Sequence, residues 1–318
     1  MKTIKSGFFA FFRSFAVGIL LFLTFSLSAA GKLVCSQCGR TIHPGYSYLQ
    51  SKGKIFCSEK CFEQILPECT ICGRRSHTGG IYAMDHSFFA CTQCMKYPRC
   101  FACQFPVPNG TKLSCDRVIC PKCARTAISD PAQAQAVFDE VRNTMRFSLG
   151  IVTKHPITFS LVDPVTLHRL SGARNEQMSE QGLFRYNAEV ERVSTRNFFG
   201  RKTGENVYKK REDIRIFVLD HLPRIRMEHV IAHELAHDWM TAFYPGIKED
   251  WIKEGFAEYI AWRYNQYKKR NEMNRRVENN PDPVYGEGFR KIRDIAKQRG
   301  FGGLRKFLES KSKMNKKK

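Results

Sequence analysis

Two histidines four residues apart stand in the run His233-Glu234-Leu235-Ala236-His237, an H-E-x-x-H array. On a helix turning about 100° per residue they lie roughly 40° apart on one face, so both imidazoles can reach one metal ion. Glu234 projects from the edge of that face, where a carboxylate can take a proton from a water at the metal and act as general base. Sixteen residues separate His237 from Glu254, the first residue of E-G-F-A-E-Y and the natural third ligand. Three protein ligands leave a fourth position open, as catalytic zinc requires. Glu258, one turn further on, can hold the free ring nitrogen of a ligand histidine and fix its orientation. A chance H-E-x-x-H occurs in on the order of one in a hundred chains of this length. Ile231, Leu235 and Trp239 recur every four residues on the opposite face, which gives the helix an apolar back and a polar front.

These residues need two helices joined by a short loop, within 226–262. Tyr285 is the candidate donor for the oxyanion, ahead of Tyr259 and His229. Upstream, 155–163 (HPITFSLVD) and 213–220 (DIRIFVLD) alternate like strands, and the latter, by position, is the candidate sheet edge for an extended substrate. Residues 170–212 read as a polar, irregular loop bordering the cleft. An Asp-Pro start opens a helix after Ser129, with a domain boundary near 126. The basic segment 267–282 reads as a helix end and loop, and the remainder returns to helix with glycine-rich breaks.

All 13 cysteines lie between 35 and 123. Twelve form three sets of four: Cys35, Cys38, Cys57, Cys61; Cys69, Cys72, Cys91, Cys94; and Cys100, Cys103, Cys120, Cys123. Within each set, short-spaced pairs are separated by enough chain for a hairpin that returns the second pair to the first, the spacing of structural zinc. Disulfides are the competing reading for an exported chain. Segments this short cannot bury enough apolar surface unaided, so the metals would hold the fold. His86 could replace a cysteine as ligand, and Cys115 is left over as a buried side chain or a reactive thiol.

Residues 1–30 have a basic start, an apolar run from Phe15 to Leu27 and Ser28-Ala29-Ala30, the form of a cleaved signal peptide. The chain is expected to be exported, to periplasm or medium; an uncleaved membrane anchor competes, though the run is shorter than the ~20 residues of a span. With 42% hydrophobic residues the chain can pack a core, and its 52 basic against 30 acidic residues give +22. That charge favours acidic partners, and retention on an anionic envelope surface is its simplest use. The leader, and fingers without an arginine-rich recognition helix, argue against nucleic acid.

The LPRIRMEHVIAHELAHDW stretch, the sixteen-residue interval to Glu254-Gly255 and the downstream VYGEGFR together resemble the DA-one family, the LIM-domain peptidases of plant organ-size control. The resemblance implies an α+β fold: a gluzincin-like zinc metallopeptidase domain (127–318, with a basic C-terminal tail) preceded by a LIM-like double zinc module (66–126). The chain adds a four-cysteine module at 31–65, and Cys91 stands where a LIM domain has histidine. Carried over, it implies one catalytic zinc on His233, His237 and Glu254, Glu234 as the catalytic glutamate, and protein or peptide substrates. About three structural zincs complete the reading. The LIM-like modules would contact a protein partner. A different class of function is a zinc-scaffolded binding adaptor with a silent peptidase-like domain.

Overall fold

Asp130-Pro131 and Asp163-Pro164 each open a helix for the same reason: proline fixes φ where no N–H partner is needed, and the aspartate caps the first turn. In the computed structural model, which describes residues 2–7, 32–82, 88–172, 178, 180–196, 199 and 201–316, Asp130 Oδ1 accepts from Gln133 N at 2.7 Å and Asp163 Oδ1 from Thr166 N at 3.0 Å. The chain is α+β and divides into two compact units. The larger holds Thr111–Lys318 with Phe101–Cys103; the other holds the two upstream cysteine sets.

The larger unit comprises β1 (Lys2–Gly7), β2 (Ala127–Ile128), α1 (Pro131–Thr144), β3 (Ile157–Val162), α2 (Pro164–Ser171), β4 (Glu180–Arg196), β5 (Lys202–Leu219), β6 (Leu222–Pro223), α3 (Arg224–Phe243), α4 (Asp250–Tyr267), α5 (Asn271–Glu278) and α6 (Gly286–Lys316). Its main sheet has the order β1-β4-β5-β3, with β3 parallel to β5 and the other pairs antiparallel. The apolar run of the expected leader, and its cleavage site, lie outside the described residues. Among the described residues no helix is long and apolar enough to cross a membrane.

Much of the segment expected to be an irregular loop, 170–212, is instead the β4–β5 hairpin. At its base Leu183, Phe184, Ile214, Ile216 and Val218 are buried. Further out, Ala188 to Thr195 are exposed on both faces, so cross-strand hydrogen bonds hold this ribbon and no apolar alternation marks it. Asp213–Leu219 lies in β5 between two strands, so it is not a sheet edge. Residues expected to form a solvated loop after α4 include α5, which buries Met273, Asn274 and Val277.

α3 is enclosed on all sides: every residue from Arg226 to Met240 is buried. Its expected polar front is therefore inside the unit, covered by α4 and β4. Two features set its neighbours. Gly255 of α4 meets Gly288 of α6 so closely that a Cβ on Gly255 would lie 2.4 Å from the Gly288 carbonyl carbon; glycine at both places lets the backbones touch. The fully buried Glu228 accepts from Arg224 Nε at 3.0 Å and from the Tyr264 hydroxyl at 2.9 Å, and pairs with Arg270.

The three cysteine sets repeat one backbone pattern. The residue after each C-x2-C donates to the first cysteine's carbonyl: Gly39 to Cys35 at 2.9 Å, Gly73 to Cys69 at 2.8 Å and Gln104 to Cys100 at 2.7 Å. The residue after each first cysteine donates to a carbonyl two residues before the third: Ser36 to Ile55, Thr70 to Phe89 and Phe101 to Val118. The hairpins expected between the pairs are present, at Leu49–Ser51 with Lys54–Phe56, Gly80–Tyr82 with Phe89–Cys91, and Thr111–Lys112 with Val118–Ile119. Within the larger unit Arg117, from the last hairpin's turn, binds Asp220 Oδ1 at 2.7 Å and stacks over Phe101.

Replacing the fully buried Glu228 with alanine leaves the partly buried Arg270 without its carboxylate. Urea unfolding of Glu228→Ala should show a loss of roughly 3–5 kcal/mol, the usual cost of breaking a buried pair from one side.

Candidate metal centre

α3 presents His233 and His237 one turn apart, and α4 crosses it at Glu254 and Glu258. Three donor atoms converge: His233 Nε2 lies 3.1 Å from Glu254 Oε2 and 3.1 Å from His237 Nε2, and His237 Nε2 lies 3.4 Å from Glu254 Oε2. Around a tetrahedral zinc with bonds of ~2.0–2.1 Å, neighbouring donors sit about 3.3 Å apart. The spacing fits the ion. All three side chains are at least nine-tenths buried, as is Glu234.

The electrostatics also call for a cation. Burial alone would push the His233 pKa down, but the hydrogen bonds its ring donates to Glu254 and Glu258 outweigh it and raise the value to about 10. Burial works against the Glu254 carboxylate, yet the His237 charge and bonds from both histidines hold it near 2. A buried carboxylate and two imidazole lone pairs aimed at one point are stable only with positive charge between them, from a proton or a metal ion.

Behind the donors runs a chain of side chains. Glu258 Oε1 lies 3.2 Å from His233 Nδ1, so Glu258 stands where the sequence put it. Its other oxygen is 3.7 Å from His229 Nε2, and the Asn265 amide meets His229 Nδ1 at 2.9 Å. With Nδ1 accepting, the His229 proton sits on Nε2 and faces Glu258. Burial first, then the Arg226 charge, lowers the His229 pKa well below its ordinary value, so the ring is neutral. Sequence reading offered His229 as an oxyanion donor and passed over Asn265. Asn265 lies seven residues after Glu258, two helical turns on the same face, and that spacing was available.

Tyr285 lies beside the centre, its ring centroid 6.3 Å from that of His233. Tyr259 does not: it is buried against Trp262. Sequence reading also missed Phe184 of β4, whose ring is stacked 6.3 Å from His237. It missed Asp238, which accepts from the Thr153 hydroxyl and lies 2.7 Å from His155 Nδ1, tying the segment before β3 to α3.

Each cysteine set gathers its four sulfurs within 4.8 Å of one another. Close Sγ pairs are Cys38/Cys57 at 3.5 Å, Cys57/Cys61 at 3.6 Å, Cys72/Cys91 at 3.9 Å and Cys103/Cys120 at 3.9 Å. Four thiolates on zinc at ~2.3 Å stand about 3.8 Å apart, whereas a disulfide needs ~2.05 Å. Burial disfavours the Cys35 and Cys69 thiolates, but backbone N–H groups aimed at the sulfur, from Cys38 and Cys57 in one case and from Cys91 and Cys72 in the other, bring each pKa to about 6. Cys57, hydrogen-bonded to Cys38 and Cys61, is raised to about 12. All four can ionise together only around a cation. His86 lies outside the described residues, and Cys115 is exposed, apart from the sets.

Comparison with protein-family profiles gives no match, and no solved structure matches the chain. Among characterised proteins it is 23% identical over 334 residues to Protein DA1 of Arabidopsis thaliana, covering 86% of this chain and 62% of that protein. The chain resembles DA1, DA1-related and other LIM domain-containing proteins of plants, at 23–25% identity. A second relative, LIM domain-containing protein HDR3 of Oryza sativa subsp. japonica, is 24% identical over 227 residues, covering 64% of this chain and 45% of HDR3. Protein DA1-related 1 of Arabidopsis thaliana is 25% identical over 257 residues, 71% of this chain and 45% of the relative. The chain thus spans about half to three-fifths of its relatives' length. Its three four-cysteine clusters and the His233, His237 and Glu254 cluster fit zinc binding, and the LIM-like modules are compatible with protein binding.

Glu258→Gln should keep the fold but weaken metal binding at His233, His237 and Glu254 by about 10–100-fold, because the charge that orients His233 is lost. Competition for zinc against a chelator of known affinity measures this.

Proposed function

We propose that the chain is an exported zinc-dependent peptidase that hydrolyses peptide bonds in proteins. The observation that carries the proposal is the convergence of His233 Nε2, His237 Nε2 and Glu254 Oε2 within 3.4 Å, with Glu234 on the same helix between the two histidines. Bound there, zinc supplies a Lewis acid for the scissile carbonyl and lowers the pKa of water towards ~7. Glu234 takes the proton of the attacking water and returns it to the leaving amine as the C–N bond breaks. The Glu258–His229–Asn265 chain keeps the His233 ring turned so that Nε2 faces the ion. Tyr285, beside His233, is the donor best placed to hydrogen-bond the oxyanion.

The leader-like residues 1–30 support export, and the net charge of about +19 left when Lys2, Lys5 and Arg13 are taken from +22 supports retention on an anionic envelope surface. The cysteine sets supply three structural zincs beside the catalytic one.

The mature protein should contain about four zincs by mass spectrometry under native conditions, and Glu254→Ala about three. Glu234→Gln should keep all four yet cleave an unfolded protein substrate more slowly by a factor of about 10³ or more, as expected when a general base is removed. Four zincs in the wild type without cleavage would leave the binding adaptor as the better account.

A further inference from the structure

β4 brings a residue without a side chain against the catalytic glutamate. A Cβ placed on Gly182 would lie 2.5 Å from Glu234 Oε1, 3.1 Å from Glu234 Cδ and 2.5 Å from Val230 Cγ1. No ordinary contact is that short. Gly182 is absent from the residues with left-handed backbone, so what the glycine supplies is space rather than conformation.

The atoms bordering that space are side-chain ends of buried residues. Glu234 and Val230 are both buried, so neither side chain can swing into solvent. The strand is pinned on both sides of Gly182. Before it, the buried Gln181 accepts through Oε1 from Arg226 Nε of α3 at 2.7 Å. After it, Leu183 and Phe184 are sealed in the core, and Phe184 stacks near His237. An added methyl group must therefore displace the Glu234 carboxylate, Val230 or both.

We infer that Gly182 is a positioning residue: the space it leaves beside α3 seats the Glu234 carboxylate at the height needed to reach the attacking water. The inference rests on the peptidase reading. The three atoms nearest this space belong to Glu234 and Val230, none of them to His233, His237 or Glu254, so metal binding is expected to survive a substitution there. Displacing a catalytic group by about 1 Å costs on the order of 10²-fold in rate.

The test compares wild type, Gly182→Ala, Val230→Ala and the double variant Gly182→Ala/Val230→Ala. Each is assayed for zinc content, melting temperature, kcat and KM on a peptide, and affinity for acetohydroxamate. This small probe chelates zinc and passes its hydroxyl proton to the neighbouring carboxylate, without needing β4. Expected in Gly182→Ala are unchanged zinc content, kcat down by about 10²-fold, KM within about threefold and at least about tenfold weaker acetohydroxamate binding. Val230→Ala in the double variant should restore the melting temperature but not kcat, and it secures a folded sample if the single variant does not fold. Recovery of kcat in the double variant would overturn the inference, because the damage would then run through Val230. So would wild-type affinity for acetohydroxamate in both Gly182 variants. If the wild type cleaves nothing, the peptidase reading fails by itself, while the acetohydroxamate comparison still decides what Gly182 does.

Discussion

Two imidazole nitrogens of one helix and a carboxylate oxygen of another are held 3.1–3.4 Å apart inside the protein. Three electron-rich atoms at that separation repel unless a cation lies between them, and burial removes the water that would otherwise screen them. The rest of the larger unit enforces the arrangement. Glycines 255 and 288 let α6 lie against α4 one residue beyond Glu254. Glu228, with Arg224, Arg270 and Tyr264, fixes the start of α3 against α4, and Asp238 ties its later turns to the segment before β3. A metal ion relieves the repulsion and makes the crossing of α3 and α4 favourable.

The cysteine sets solve a related problem at smaller scale. The first module buries Ile42, Phe56, Phe62 and Leu66 besides its cysteines, and the second Ile81, Phe89 and Ala90. Cores this small do not offset the entropy of ordering their segments, so metal ligation supplies the balance. One pattern of backbone bonds recurs in all three sets, with Gln104 at φ 63° where the other two have Gly39 and Gly73. The same local geometry thus presents four sulfurs each time.

Features written in short-range spacing were legible. The H-E-x-x-H array, the reach to Glu254, the placement of Glu258, the Asp130-Pro131 helix start, strand β3 and the three cysteine sets all follow from residues a few positions apart, or from a repeat. The hairpin β4–β5 was not, because its outer strands are solvent-facing on both sides and their pairing joins residues up to about 36 apart. β4 was hidden with it, and so were the contacts of Phe184 and Gly182 with the centre. That α3 is buried on every side was not legible, because buried histidine and glutamate look like surface residues until their partners on α4 are known. α5 is too short and too polar for its periodicity to outweigh its charge.

Anomalous diffraction at the zinc edge from crystals of the purified protein tests the account most directly. It predicts one ion bonded to His233 Nε2, His237 Nε2 and Glu254 at ~2.0–2.2 Å, and one at each cysteine set at ~2.3 Å from its four sulfurs. No anomalous peak between α3 and α4, or cysteine sulfurs joined in pairs at ~2.05 Å, would contradict it.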